Sequence, residues 1–186
     1  MIKLRNISFS YGKKQILKDF SLNITKGDVI CLSGESGCGK TTVLRLILGL
    51  EKPSEGKILM DNKLKASVVF QENRLIPFKT VLENITVFGS SEKTALEHLK
   101  ALGIENVANT YPDKLSGGMQ RRVAIARALS VEYDYLILDE PFTGLDNDNI
   151  KSAAEHILSS VSNRPVILVT HSKDEAELMN AKIINM

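Results

Sequence analysis

The chain has 186 residues, 24 of them basic and 22 acidic, for a formal net charge of +2. That length fits one domain able to bury a core without covalent or metal staples, and the charge balance argues against the basic face of a general nucleic-acid binder. Two cysteines, Cys31 and Cys38, are too few for a disulfide framework or a zinc site.

In chain order, residues 2–10 and 16–24 alternate apolar and polar side chains. They are expected to form half-exposed antiparallel strands joined by a turn at Gly12, Lys13 and Lys14. Residues 29–32 are continuously apolar and read as a buried strand, followed by a glycine-rich loop and a helix from Thr42 to about Gly49. A strand at 67–70 comes next. The pattern then turns helical, with Val81, Leu82 and Ile85, and again with Ala95, Leu96, Leu99 and Leu102, at helical spacing. Buried strands at 135–138 and 165–170 complete the reading. Alternating strands and helices imply a single α/β domain with a mostly parallel sheet and an N-terminal antiparallel β arm. About 1–71 and 131–186 would form its core, with 72–130 inserted as a helical subdomain.

Gly34-Glu35-Ser36-Gly37-Cys38-Gly39-Lys40-Thr41 fits the phosphate-binding P-loop: Gly, four residues, then Gly-Lys-Ser/Thr. Glycines let the backbone curl until its N–H groups face phosphate oxygens, and the helix that follows adds its positive end. Lys40 would reach the β- and γ-phosphates, and the Thr41 hydroxyl would ligate Mg2+. Thr42 would open the helix. The loop points to ATP or a similar nucleotide on a P-loop NTPase core, and leaves the P-loop family open. Beside Lys40 and a helix start, Cys38 is placed for thiolate character; the plainer reading is a small residue that fits.

The strand at 135–138 runs into Asp139 and Glu140. An acid at such a strand end holds Mg2+, which suits Asp139. Strand alternation would send Glu140 to the opposite side, to polarise a water rather than share the metal.

Leu115-Ser116-Gly117-Gly118-Met119-Gln120, ahead of a helix over 121–129, resembles the signature motif of ABC ATPases, and the chain resembles that family nearly end to end. Ser116, Gly117 and Gly118 open a helix whose free N–H groups suit an anion; alone, the same residues are an ordinary cap and turn. The resemblance implies that Tyr11 stacks on adenine, where the plainer role is a strand-end core tyrosine. It implies that Gln71 contacts the metal and attacking water, and that Glu140 is the catalytic base. Gly144-Leu145-Asp146 would be the D-loop, and His171 would contact the γ-phosphate. Two such chains, a homodimer in the simplest case, would clamp ATP head to tail, each offering Ser116-Gly117-Gly118 to the other's P-loop.

Met119 and Arg121 stand where glutamine is common in the family. The stretch from Lys40 to Gln71 is short, so residues 51–66 are expected to form a trimmed antiparallel arm. The chain stops at Met186, where many relatives carry a further helix or a regulatory domain. Residues 70–85 are similar to importer ATPases of the nitrate, sulfonate and taurine group, in which this surface docks a permease helix. Arg74, Leu75, Pro77 and Phe78 would then couple to a permease; Leu75 and Phe78 read equally as core. Lipoprotein-releasing and drug-exporting relatives share much of this pattern. A DNA-repair or translation ABC ATPase would usually add a coiled coil, zinc cysteines or a second ATPase domain, and a small P-loop kinase need not carry Ser116, Gln71 and His171 in this order. The N-terminus lacks a signal-peptide core and no apolar run approaches ~20 residues. The expected setting is therefore the cytoplasmic face of the cell membrane, reached through permease subunits, with a solute-binding protein possible in the full system.

Overall fold

The structure is a computed structural model that describes residues 1–61 and 63–186. Three short apolar runs become adjacent strands of one sheet: β3 (Val29–Ser33), β6 (Tyr135–Asp139) and β7 (Val166–Val169). With β5 (Ala66–Val69) and β8 (Lys182–Asn185) they order as β5-β6-β7-β3-β8, every pair parallel. Neighbouring side chains leave opposite faces of a strand, so each continuous run feeds two cores. Leu136, Leu138, Val166 and Leu168 pack on one face, and Tyr135, Ile137, Ile167 and Val169 on the other. This is why these strands read as unbroken hydrophobic runs.

The second face is covered by α1 (Lys40–Ile47) and by a separate antiparallel sheet, β2-β1-β4, made of β1 (Ile2–Tyr11), β2 (Lys14–Ile24) and β4 (Glu55–Leu59). The arm expected over 51–66 is therefore the single strand β4, paired with β1; residue 62 of that stretch lies outside the described residues. The first face meets α2 (Val81–Thr86), α3 (Glu92–Ala101), α4 (Gly117–Ser130), α5 (Asn147–Ser160) and α6 (Lys173–Leu178). Val81, Leu99 and Ile125 share a core with Leu136 and Leu168, so the helical middle packs directly on the sheet. Among the described residues, no helix is long and apolar enough to cross a membrane.

Element boundaries differ from the sequence reading where backbone chemistry overrides periodicity. Helix α1 begins at Lys40, two residues before Thr42, with Gly39 as its N-cap at φ 110°, a backbone that glycine adopts without steric cost. Helix α4 begins at Gly117, four residues before 121, with the Ser116 hydroxyl accepting from Met119 N. Helices α5 and α6 were not foreseen; Asp146 and Ser172 cap them by accepting from Asn149 N and Glu175 N.

Before α2, the chain over 76–80 is knotted by one side chain. Asn84 is fully buried; its Oδ1 accepts from Ile76 N at 2.7 Å, and its Nδ2 faces the carbonyls of Ile76, Lys79 and Thr80 at 3.0–3.1 Å. Thr80 and Glu83 add a reciprocal capping box. Asn84→Ala strands these groups and should cost about 1–3 kcal/mol of stability, read as a lower urea midpoint at unchanged slope. An unmoved midpoint would show that the knot carries no stability.

Candidate functional site

The P-loop runs from β3 into α1 and leans on the arm. A side-chain carbon at Gly39 would lie 2.8 Å from Leu17 Cδ2 and 3.1 Å from Ile16 Cγ2, at a φ that already favours glycine. Lys40 is buried at the base of the loop, and its ammonium donates to the carbonyls of Gly34 at 2.8 Å and Glu35 at 3.0 Å. An ammonium has three donors, and the third faces only the weakly accepting Cys38 sulfur, which an anion above the loop would outcompete. Cys38 Sγ is 3.9 Å from that nitrogen and half-buried.

Above the loop lies a cavity of about 340 Å³. It brings together Ser36, Gly37, Gly39, Lys40, Thr41 and Thr42 with Gln71, Asp139, Glu140 and His171. Gly34 and Glu35 serve through their carbonyls. Tyr11 is not among the lining residues; it is 47% exposed, with its ring edge-on to Phe9 at 4.8 Å. Lys14, Ile16 and Val169 also line the cavity and were missed. No motif marks them. Lys14 pairs with Tyr11 at the arm's tip and arrives only because the arm folds over the loop.

The two carboxylates do not diverge as strand alternation suggested. Strand β6 ends at Asp139, and Glu140 turns to φ 50°, so both line the same cavity. Such a backbone costs energy unless its surroundings hold it. Burial raises the affinity of Asp139 for a proton, against the pull of Arg121 and Lys40. Burial likewise raises that of Glu140, partly offset by His171. His171 Nε2 stands 3.3 Å from Glu140 Oε1, off the hydrogen-bond direction, so this buried oxygen receives no hydrogen bond from the described residues. A carboxylate with raised proton affinity and an unmet acceptor is suited to take a proton from water.

Among the described residues, no three His, Cys, Asp or Glu side chains gather as a metal cage. Thr41, Gln71 and Asp139 do line one cavity. A few oxygen donors beside a phosphate loop match Mg2+, which keeps waters and takes phosphate oxygens as ligands.

Ser116, Gly117 and Gly118 line a different cavity of about 330 Å³, with Arg122 and with Gly144, Leu145, Asp146 and Asn149. The two cavities share no residue. A side-chain carbon on Gly118 would fall 2.8 Å from Gly144 O, so the signature and the D-loop segment are in close contact.

Arg121, which the sequence offered only as a departure, is 1% exposed. It donates to the carbonyls of Pro141 at 3.0 Å, Asp139 at 2.9 Å and Glu140 on one side. On the other it donates to Phe70 O, Gln71 O and Asn73 Oδ1. Arg127, two turns along α4, donates to the carbonyls of Asn73 and Arg74. Of the coupling candidates, Leu75 packs against the core, whereas Phe78 is 79% exposed. Arg74 lies over the Phe70 ring at 4.0 Å, and Pro77 is exposed.

Residues 17–143 match the family described as ABC transporter. The aliphatic sulfonates import ATP-binding protein SsuB 3 of Pseudomonas savastanoi pv. phaseolicola is 37% identical over 98% of this chain and 72% of its own length. The dimeric, post-hydrolysis structure of the ATP-binding cassette MJ0796, bound to ADP and Pi, superposes with a TM-score of 0.86 at 33% identity, over 100% of this chain and 94% of that one. A bacterial Atm1-family ABC exporter with ATP bound gives a TM-score of 0.91 at 25% identity, over 100% of this chain and 37% of that one.

A base works only when deprotonated. With its proton affinity raised, Glu140 should support full turnover well above its pKa and lose it as pH falls through a value higher than that of an ordinary glutamate. Glu140→Gln should retain ATP binding and lower kcat by about 10²–10⁴-fold; a variant turning over at the parent rate would remove Glu140 from the chemistry. Cys38 should react with N-ethylmaleimide more slowly when ATP is present, while Cys31, 1% exposed, stays unlabelled. Equal labelling with and without ATP would place Cys38 away from the nucleotide.

Proposed function

The chain belongs to the ABC transporter family, and on that premise we propose that it is the ATP-hydrolysing subunit of a membrane transporter and works as one half of an ATP-clamped pair. The observation that carries the reading is the separation of the two cavities. The helix-opening Ser116-Gly117-Gly118 motif lies apart from the P-loop of its own chain, so it is available to a second chain's nucleotide. The dimeric MJ0796 cassette with ADP and Pi supports this arrangement.

Within each half-site the P-loop N–H groups and Lys40 would hold the phosphates, with Tyr11 at the adenine end. Thr41, Asp139 and Gln71 would hold Mg2+, whose charge offsets that of the phosphates. Gln71 and Glu140 would orient the attacking water, and Glu140 would accept its proton. His171, held beside Glu140 at 3.3 Å, would contact the γ-phosphate. Two chains closed on ATP would reopen on hydrolysis and pass the movement to permease subunits.

Docking to those subunits is assigned to the segment after Gln71, with Phe78 and Pro77 exposed and Arg74 beside Phe70. An exposed aromatic with a proline before it and an arginine four residues upstream suits an interface anchor. Membrane association on the cytoplasmic face would come through that contact. The likeness to SsuB 3 supports an importer of small anions of the nitrate and sulfonate type, which would add a solute-binding protein. The superposition on an Atm1-family exporter supports the opposite direction.

If the site is shared, specific ATPase activity of the free chain should rise with protein concentration. A specific rate constant down to high dilution would remove the shared-site reading. A tagged chain drawn from detergent-solubilised membranes should bring a polytopic permease with it, and that partner's type separates import from export; recovery of soluble partners alone would point to a non-transport ABC ATPase.

A further inference from the structure

Strand β7 ends at Val169 and α6 begins at Lys173 with Ser172 as its cap, so His171 sits in a short link between them. Its side chain is 61% exposed and approaches Glu140 Oε1 at 3.3 Å without a hydrogen bond. The place of the ring is therefore set by the backbone on either side of it. Ahead of the link, Glu140 N donates to Val169 O at 2.9 Å and ties the end of β6 to the end of β7. Across the link, Ser172 N donates to the Thr170 hydroxyl oxygen at 3.1 Å, spanning the histidine. The Thr170 hydroxyl in turn donates to a Glu175 carboxylate oxygen, and Glu175 N donates to Ser172 Oγ at 3.3 Å.

A helix cap does not by itself call for this arrangement. Ser172 and Glu175 have the Ser-x-x-Glu spacing of a capping box, in which the glutamate accepts from the cap residue's own N–H. Helix α2 shows that closed form, with Thr80 N donating to Glu83. In α6 the glutamate reaches past the cap N–H to Thr170, on the other side of His171, and the cap N–H goes to the Thr170 oxygen instead. Thr170 is 2% exposed, so its hydroxyl has these protein partners in place of water.

We propose that Thr170 and Glu175 are positioning residues: their hydrogen bond closes a brace around His171 and holds its imidazole beside Glu140. With Val169 O fixed to Glu140 N on one side and the brace closed on the other, the direction in which the histidine side chain leaves the backbone is set. This inference rests on the role given to His171 under the proposed function.

The test uses the full chain at a fixed, high protein concentration. Mg2+-ATP affinity and kcat are measured for Thr170→Val, Thr170→Ser, Glu175→Ala, His171→Ala and the Thr170→Val/His171→Ala double variant. Thr170→Val keeps the shape of the side chain and removes the hydroxyl, which leaves Ser172 N to close an ordinary capping box with Glu175. Helix α6 is then kept while the brace is lost. Displacing a reacting group by about 1 Å costs about 10²-fold. Thr170→Val should thus lower kcat by about 10- to 100-fold while ATP affinity stays within about threefold of the parent. Thr170→Ser, which restores the hydroxyl, should recover most of that loss. In the His171→Ala background Thr170→Val should cost nothing further, because no imidazole is left to misplace. The chain has three histidines, so the His171 ring signal in an NMR spectrum of isotope-labelled histidine is identified by its loss in His171→Ala. That signal should move in Thr170→Val and return in Thr170→Ser. A parent-like kcat in Thr170→Val, losses that multiply in the double variant, or an unmoved His171 signal each overturn the proposal. Should Thr170→Val fail to fold, Glu175→Ala is read in the same way; if neither folds, the pair is structural and the proposal falls. Failure of the underlying assignment looks different, because His171→Ala would then turn over at the parent rate.

Discussion

Parallel pairing of β6, β7 and β3 is the constraint on which the site depends. Leu32 lies opposite Val169, and Val169 lies opposite Asp139. With that register, three loops must leave the sheet at one edge: the P-loop after β3, Glu140 after β6, and His171 after β7. Ligands in open α/β sheets gather outside the carboxyl ends of the strands for this reason. A one-residue slip in β6 would turn Leu136 and Leu138 away from the core they share with α4, so the packing that holds the sheet also holds the chemistry.

The charges around the cavity follow a second rule. Lys40 and Arg121 are both buried, and each donates to backbone carbonyls rather than to a carboxylate. Burying a cation is costly unless its donors are met, and carbonyls meet them without neutralising an acid. Asp139 and Glu140 therefore keep their oxygens for other partners while feeling positive charge close by. Had either cation paired directly with Asp139 or Glu140, the site would be more comfortable and less able to hold a metal or take a proton.

Helix α4 links these parts mechanically. Its first residues line the Ser116 cavity, Arg121 donates to the carbonyls of Gln71 and Glu140, and Arg127 holds the carbonyls of Asn73 and Arg74. From Arg74 the chain enters the Asn84 knot, which holds Ile76, Lys79 and Thr80 on either side of Phe78. The exposed segment assigned to permease contact is thus short, and anchored at both ends.

Much of this was legible in the residues themselves. Glycine spacing around Lys40, apolar runs at β3, β6 and β7, and the Ser116-Gly117-Gly118 cap are local, because a turn, a buried strand or a helix start leaves its mark within a few neighbours. The caps of α5 and α6 were local too, at Asp146 and Ser172, but no strong apolar period stood beside them to draw attention. What the sequence could not carry were contacts between distant segments. Lys14 enters the cavity only when the arm closes over the P-loop, and Glu140 joins Asp139 on one side only because its backbone leaves the strand. Arg121 reads as a substitution until the carbonyls that it binds, 18 to 51 residues away in the chain, are folded around it. Residue type and spacing determined which chemistry this chain holds; tertiary packing decided which of those groups meet, because backbone carbonyls have no sequence signal and their direction is set by the fold alone.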